Sequence, residues 1–369
     1  MHVPFCSSKC AYCGFYSVSP VGWDVRGVVN SILKELDMVE PCEGWAKTIY
    51  IGGGSPSCIG SENLIYLAEQ LVRRVGSVEE FTIEVNPSQV DAKTLAALRK
   101  IGVNRLSIGA QTFDKKLLGM LGRRCEPETI GKTVAAAKSS GFENISLDLI
   151  FAIPGQRLAG WLSDIEKAVS LSPTHISAYS LSFEENTPFY KLREEGKVAA
   201  VDEELDREMY YLTIDTLADV GFGQYEISNF ARAGSECKHN HIYWANGAYV
   251  GIGPAAAASW YLGERRTNFA DVKKYCGHIA EDKLPIQESH WPDNIEIACQ
   301  SAVLGLRRIE GIDVAQYKSQ TGFDLLKLFA YAIDSNVEKG FLVHEKGKVR
   351  LSRDALAIAD SVLCDFADI

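Results

Sequence analysis

Between Lys47 and about Val220, short β-branched runs alternate with longer amphipathic stretches five times in succession. "KTIYIGG" precedes "SENLIYLAEQLVRRV", "FTIEVNP" precedes "AKTLAALRKIG", and "VNRLSIGAQ" precedes two helical segments from Asp114 to Ser140. "NISLDLIFAIPG" precedes "AGWLSDIEKAVSL", and "HISAYSLSF" precedes "DEELDREMYYLTIDTLADVG". Strands joined through helices run parallel, because a hairpin returns the chain antiparallel and a crossover does not. The pattern predicts an α/β fold, a partial (β/α) barrel, whose ligands are held at the C-terminal ends of its strands.

After Gly221 the periodicity weakens. Residues 222–262, rich in Gly, Ala, aromatics and His, read as one or two strands with functional loops, and residues 266–290 as a linker with one short helix. From Asp293 to Ile369, helical patterns surround "GFLVHEKGKVRLS", a hairpin with charged turn residues around Gly347. Helices plus a hairpin predict a smaller, winged-helix-like C-terminal module. The expected division is 1–220 for the barrel, 221–290 for substrate-side strands, loops and linker, and 291–369 for the helical module.

Composition narrows the partners. With 48 acidic against 38 basic residues the net charge is −10, and no basic stripe offers itself to phosphates, so nucleic acid is not an expected partner. No run reaches the roughly 18 apolar residues of a membrane span, which leaves at most peripheral contact with a membrane. No basic segment followed by an apolar run marks a signal peptide. Ten cysteines in 369 residues are too sparse for a disulfide scaffold, so reduced thiols and a cytoplasmic location are expected. Cys42, Cys58, Cys125, Cys276, Cys299 and Cys364 are scattered and read as small buried hydrophobes.

Three further cysteines are not scattered. Cys6, Cys10 and Cys13 fall in the spacing C-x3-C-x2-C within "MHVPFCSSKCAYCGFYS". A structural zinc site closes with four protein ligands, and a [4Fe–4S] cluster ordinarily takes four thiolates. Three thiolates fit a cluster with one iron open to a non-protein ligand. Zinc completed by His2 and a redox pair at Cys10 and Cys13 are the alternatives. Polar residues gather where the barrel pattern places ligands: Gly52, Gly53, Gly54 and Ser55 after the first long strand, Glu84 and Asn86 in "EVNP", Gln111 in "SIGAQTF", Arg123 in "LGRR", Asp148 in "NISLDLI" and Tyr179 in "SAYSL". In "CKHNHIYW", Cys237, His239 and His241 alternate and would share one side of an extended strand. Histidine and cysteine are both haem axial ligands, and Tyr243 and Trp244 are suited to flank a flat ring. A packed aromatic turn with a satisfied histidine is the plainer alternative.

The cysteine spacing, with Tyr12 before the last cysteine, resembles the radical S-adenosylmethionine (SAM) enzymes. That resemblance implies a cluster on Cys6, Cys10 and Cys13 whose open iron chelates SAM, and reductive cleavage of SAM to a 5′-deoxyadenosyl radical, with electrons from a donor protein. It places SAM against Tyr12, Gly53, Gly54, Ser55, Glu84, Gln111, Arg123 and Asp148. "HVPFC", the glycine loop, "EVNP", "RLSIGAQTF", "DLIFAIPGQ" and "SAYSL" together resemble the oxygen-independent coproporphyrinogen III oxidase superfamily, over nearly the whole chain. The oxidases carry a fourth cysteine two places after the third, where this chain has Phe15, and an N-terminal extension. The HemW-type haem-chaperone branch shows C-x3-C-x2-C-x-F and H-N-x-x-Y-W, as here in "CSSKCAYCGF" and in His239, Asn240, Tyr243 and Trp244. The resemblance thus implies haem as cargo, held by His239 or Cys237, and haem-accepting proteins as partners. The alternative is a tetrapyrrole-modifying enzyme such as the oxidase itself. In two places the chain departs from the family pattern. Little of the strand before "HVPFC" is expected, and "GIGPAAAAS" has Ala255 and Ala257 where related sequences carry the small-residue and His pattern of "GIGAGAHS".

Overall fold

The computed structural model describes residues 1–39, 46–260 and 263–367; Cys42 lies outside the described residues. A two-residue strand, β1 (His2–Val3), precedes helix α1 (Val25–Met38), which starts where the Asp24 side chain accepts from the Gly27 amide. The repeats follow in order. They are β2 (Thr48–Gly53) with α2 (Ser61–Val75), β3 (Glu80–Val85) with α3 (Ala92–Ile101), and β4 (Arg105–Gln111) with α4 (Lys115–Met120) and α5 (Pro127–Ser139). Then come β5 (Asn144–Phe151) with α6 (Leu158–Ser170), and β6 (His175–Ser180) with α7 (Pro188–Glu194) and α8 (Glu203–Asp219).

Strands β1 to β6 lie side by side in chain order, all parallel. The sheet is completed by β7 (Gly223–Glu226) and β8 (Asn229–Ala231), with β8 antiparallel to β6, so the barrel's sheet runs past the expected boundary at residue 220. Its edges, β1 and β7, do not pair with each other among the described residues, and the sheet is an open, partial barrel, as the repeats predict.

Strand side chains alternate between two faces, and here the faces differ in chemistry. Ile49, Ile51, Phe81, Ile83, Leu106, Ile108 and Leu147 are buried in one core with Leu64, Leu67, Leu98, Ile130 and Trp161 of the helices. Each such side chain stabilises the fold by about 1.5–3 kcal/mol relative to exposure. The intervening positions face the barrel interior and are polar: Tyr50, Thr82, Glu84, Ser107, Ser146, Asp148 and Ser177. Register pairs them into rungs, Glu84 beside Ser107, Ser107 beside Ser146, and Asp148 beside Ser177.

Residues Lys238–Trp244 form helix α9, not the extended strand expected from the Cys237–His239–His241 alternation. The His241 amide donates to the Cys237 carbonyl at 3.2 Å, and a helical turn of 3.6 residues sends His239 and His241 to opposite sides. The segment read as a linker with one short helix holds that helix, α10 (Val272–Ala280), but flanks it with β10 (Arg265–Asn268) and β11 (Ile286–His290), which form a small antiparallel sheet with β9 (Ala257–Ser259). Four of the five β11 residues are exposed, so the alternating apolar signal of a strand is missing there. Ala255 adopts φ 60°, a left-handed conformation that favours the glycine expected at that place.

The C-terminal module has the order α11 (Asn294–Leu306), β12 (Ile312–Asp313), α12 (Val314–Thr321), α13 (Leu325–Leu328), α14 (Ala330–Glu338), the hairpin β13 (Leu342–Glu345) and β14 (Lys348–Leu351), and α15 (Ala359–Cys364). Helices followed by a hairpin match the winged-helix-like expectation. Lys346 and Gly347 turn the hairpin with φ of 51° and 74°. Of the scattered cysteines, Cys125 and Cys299 are buried and Cys58 and Cys276 half-buried, but Cys364 is exposed, because it ends α15 on its solvent side. Among the described residues no helix is long and apolar enough to cross a membrane.

Candidate functional site

The cysteine loop is laid across the C-terminal end of the sheet by backbone contacts. Gly54 and Ser55 donate to the carbonyls of Val3 and Phe5 at 2.9 and 2.7 Å, and the Cys6 amide donates to Val18 at 3.0 Å. A Cβ on Gly54 would stand 2.6 Å from the Phe5 carbonyl oxygen, and one on Gly53, whose φ is +103°, 2.5 Å from the His2 ring. These glycines therefore first serve the chain's own close approach. Cys6, Cys10 and Cys13 are free thiols, each half-buried. Burial raises Cys6 and Cys13 above the usual thiol range, and mutual repulsion among the three adds to it. Among the described residues no three His, Cys, Asp or Glu side chains are grouped to hold a single metal ion.

Beside the loop, Arg123 is bonded to Tyr12, whose phenol burial pushes up. Its Nε is buried with no partner among the described residues. Arg123 and Gln111 both cross Gly109, where a Cβ would lie 3.0 Å from the guanidinium and 2.9 Å from the Gln111 amide nitrogen. Gln111 itself is buried at φ 67°. Glu84 accepts from the Tyr50 hydroxyl at 2.9 Å, and its carboxyl is pushed up to about 7, by burial first and by the charge of Asp148 second. Burial also raises Asp148, against hydrogen bonds from Ser107 at 2.7 Å and Ser146 at 3.2 Å. A guanidinium with an unmatched donor, two carboxylates, an amide and three thiols meet at one end of the sheet, and this donor set fits a thiolate-held cluster beside a zwitterionic, ribose-bearing cofactor. Tyr179, by contrast, is 44% exposed.

The sequence reading missed the network that fixes the loop to this end. Gln89 donates from Nε2 to Ser7 at 2.7 Å and accepts from Ser55 at 2.8 Å and Ser57 at 3.0 Å, while Ser57 also receives the Asn86 amide at 3.0 Å. The available signal was "NPSQ" directly after a strand end.

Helix α9 lies at the opposite end. The carboxylate of Glu80, the first residue of β3, accepts the Lys238 and His239 amides at 3.0 Å each and the Cys237 thiol at 3.4 Å. Thr48, the first residue of β2, bonds His239 Nδ1 at 2.7 Å, and Arg105, the first of β4, donates to the Ser235 carbonyl at 3.0 Å. His239 Nε2 meets the Tyr243 hydroxyl at 2.9 Å, so both ring nitrogens are engaged, and burial lowers the ring to about 3. Cys237 is 3% exposed, its thiol pushed up to about 12 by burial. As folded, neither residue presents a free donor, and the pair sits across the barrel from the three cysteines.

A model of the radical SAM superfamily matches residues 1–168. That match, on an open parallel barrel with a three-thiol loop at its C-terminal end, makes the chain a radical SAM protein. It is 36% identical over 372 residues to the heme chaperone HemW of Bacillus subtilis, covering 99% of this chain and 98% of that one. The heme chaperone HemW of Lactococcus lactis is 34% identical over 369 residues, covering 99% of this chain and 96% of that one. Bovine mitochondrial radical S-adenosyl methionine domain-containing protein 1 is 30% identical over 383 residues, covering 98% and 85%. The chain belongs to the HemW-type haem-chaperone family within the oxygen-independent coproporphyrinogen III oxidase-like radical SAM proteins. Its fold is shared with the solved coproporphyrinogen III oxidase HemN of Escherichia coli, at TM-score 0.85 and 18% identity, over 99% of this chain and 88% of that one.

Proposed function

We propose that this chain holds one [4Fe–4S] cluster through Cys6, Cys10 and Cys13, binds SAM beside it, and binds haem for delivery to haem-requiring proteins in the cytoplasm. The observation that carries the reading is the three-thiol loop beside an Arg123 with an unmatched buried donor. The oxidases' fourth-cysteine position holds Phe15, 69% exposed. When bound, cluster and SAM together supply one-electron chemistry, with electrons from a donor protein.

The chain's own residues have separable tasks. Gly53, Gly54 and Ser55 hold the cysteine approach against the sheet and leave backbone groups near the cofactor. Arg123 offers its free donor to a carboxylate, Tyr12 fixes Arg123, and Gln111 lies alongside. Glu84 and Asp148 face the interior as acceptors for ribose hydroxyls or an amine. Residues 1–220 with the closing strands β7 and β8 form the cofactor unit. Of the residues to 290, α9 covers its far end while the small sheet and α10 pack beside α1 through Glu35, and 291–369 pack as the helical module. His239 and Cys237 would serve haem only after giving up the bonds described above.

The test is a parallel assay on anaerobically reconstituted protein: haem titration followed by the Soret band, and coproporphyrinogen III with SAM and reductant. Haem binding without decarboxylation is expected. Decarboxylation would overturn the chaperone reading in favour of the oxidase.

A further inference from the structure

The inward face of the sheet carries a chain of polar side chains in which every link is a hydrogen bond. Asp148, in the middle of β5, accepts from Ser146 Oγ at 3.2 Å and, on its other oxygen, from Ser107 at 2.7 Å. Ser146 Oγ lies 2.8 Å from His175 Nδ1, and His175 Nε2 lies 2.9 Å from the Tyr225 hydroxyl. His175 opens β6 and is 2% exposed, yet both of its ring nitrogens are engaged in this chain.

The two ends of the chain have different surroundings. Asp148 stands among the groups assigned above to the cofactor. Tyr225 lines a cavity of about 640 Å³ between β7, the end of α11 and the hairpin β13–β14. Charged side chains make up most of that wall, Glu236, Arg308, Glu310 and Lys348 among them, so the recess holds water in preference to an apolar ligand.

The middle of the chain is suited to passing protons. Burial pushes the His175 imidazole well below its usual range, and Arg105 of β4 adds to this, so the ring stays neutral. A neutral imidazole has one donor and one acceptor nitrogen. It relays a proton by taking one at Nε2 as it releases another from Nδ1, and no step needs an imidazolium.

We propose that Tyr225, His175 and Ser146 form a proton relay between the outer recess and Asp148, so that this carboxyl gains and loses its proton while SAM fills the cysteine end, a use that rests on the cofactor reading above. Inward, Ser146 gives its proton to the Asp148 carboxylate, His175 Nδ1 gives one to Ser146, Tyr225 gives one to His175 Nε2, and a hydronium ion in the recess restores Tyr225. The sum is carboxylate plus hydronium giving carboxylic acid plus water. No electron moves, and His175 is left in its other neutral tautomer. The outward path runs through the same bonds in reverse. Glu84 of β3, Tyr50 of β2, Arg105 of β4 and Tyr179 of β6 are the charged and titratable groups around Asp148, and they set the pH at which it titrates. The relay sets how fast it does so.

The test is a pH jump on the full, cluster-reconstituted chain, followed by the infrared absorption of the protonated carboxyl group, with and without SAM. Asp148→Asn removes the band and so assigns it. His175→Gln keeps a donor and an acceptor but has no second tautomer, and Tyr225→Phe keeps the ring and drops the hydroxyl. Each slows the appearance of the band about tenfold or more at an unchanged midpoint, most clearly with SAM filling the other end. The relay is overturned if both variants respond at the parent's rate, if they shift the midpoint and spare the rate, or if Asp148→Asn leaves the parent's spectrum intact. SAM that leaves the reduced cluster's EPR spectrum unchanged sinks the cofactor reading instead, and the SAM-free jumps then judge the relay alone.

Discussion

Tyr50 stacks on His239 with ring centroids 5.1 Å apart and a 23° interplanar angle. Because the Tyr50 hydroxyl also donates to Glu84, these rings join the floor of the barrel, where α9 is seated, to the carboxylates beneath the cysteine loop. The interior is therefore a continuous polar column, from Thr48 through His239 and Tyr50 to Glu84.

Replacing any one of Cys6, Cys10 or Cys13 by Ala should abolish a cluster that otherwise brings about four irons per chain, because a second iron is left without a protein ligand. Cys364→Ser, at an exposed thiol remote in sequence from the loop, should leave iron content unchanged. Iron and sulfide analysis after anaerobic reconstitution decides it, and zinc in the purified site would refute it.

Gly54 and Arg123 should separate cluster from SAM. Gly54→Val pushes a side chain into the Phe5 carbonyl, so iron itself should be lost. Arg123→Gln should retain iron but weaken the change that SAM makes in the reduced cluster's EPR spectrum. It should also cost about 1–3 kcal/mol of stability through the lost bond to Tyr12. An Arg123→Gln protein with the parent's SAM response would remove this residue from the site.

Glu84 should make the cofactor-free protein less stable as pH rises. Its folded-state value is about 7, above the ordinary 4.5, so between these values the folded state holds a proton that unfolding releases. Stability is therefore highest below about pH 4.5 as far as this group is concerned, falls between 4.5 and 7, and is level above. Glu84→Gln still accepts from Tyr50 and carries no charge. It should match the parent near pH 5 and exceed it by about 1–3 kcal/mol at pH 8. Urea unfolding at both values gives the answer, and parallel pH profiles would contradict it.

His239 and His241 should differ in stability as well as in any ligand role. His239→Ala removes two hydrogen bonds and the stack on Tyr50, a loss of about 1–3 kcal/mol. His241→Ala, at an exposed ring, should stay within about 0.5 kcal/mol. Thermal unfolding of the two variants distinguishes them, and equal losses would mean that α9 is not anchored through His239.

Local signals carried most of this architecture. The strand–helix repeats are short-range patterns, and the motifs at strand ends inherit their position from the repeats, which is why Arg123, Gln111 and Glu84 converge where the barrel pattern puts them. α9 was misjudged because five residues satisfy a two-residue period and a helical turn equally well. Its position depends on partners 191 residues away in Thr48 and 157 away in Glu80, and no local pattern records such pairings. The Ser7–Gln89–Ser55 link has "NPSQ" after a strand end as its one local mark, and its partners lie 82 and 34 residues from Gln89. Strands β10 and β11 lack apolar alternation, β10 reading "RRTN" and β11 having four of its five residues exposed, so no periodic signal marks them.

The seat that Glu80 provides for three donors of α9 has a consequence for traffic through the molecule. With Cys237, His239 and Tyr243 seated under the strands, α9 covers the end of the barrel opposite the cysteines. The stacked rings of His239 and Tyr50 thus stand between the outer side of α9 and the carboxylates beneath the cysteine loop. The two ends can accordingly drift apart in specificity: substitutions that reshape one mouth leave the other's walls in place.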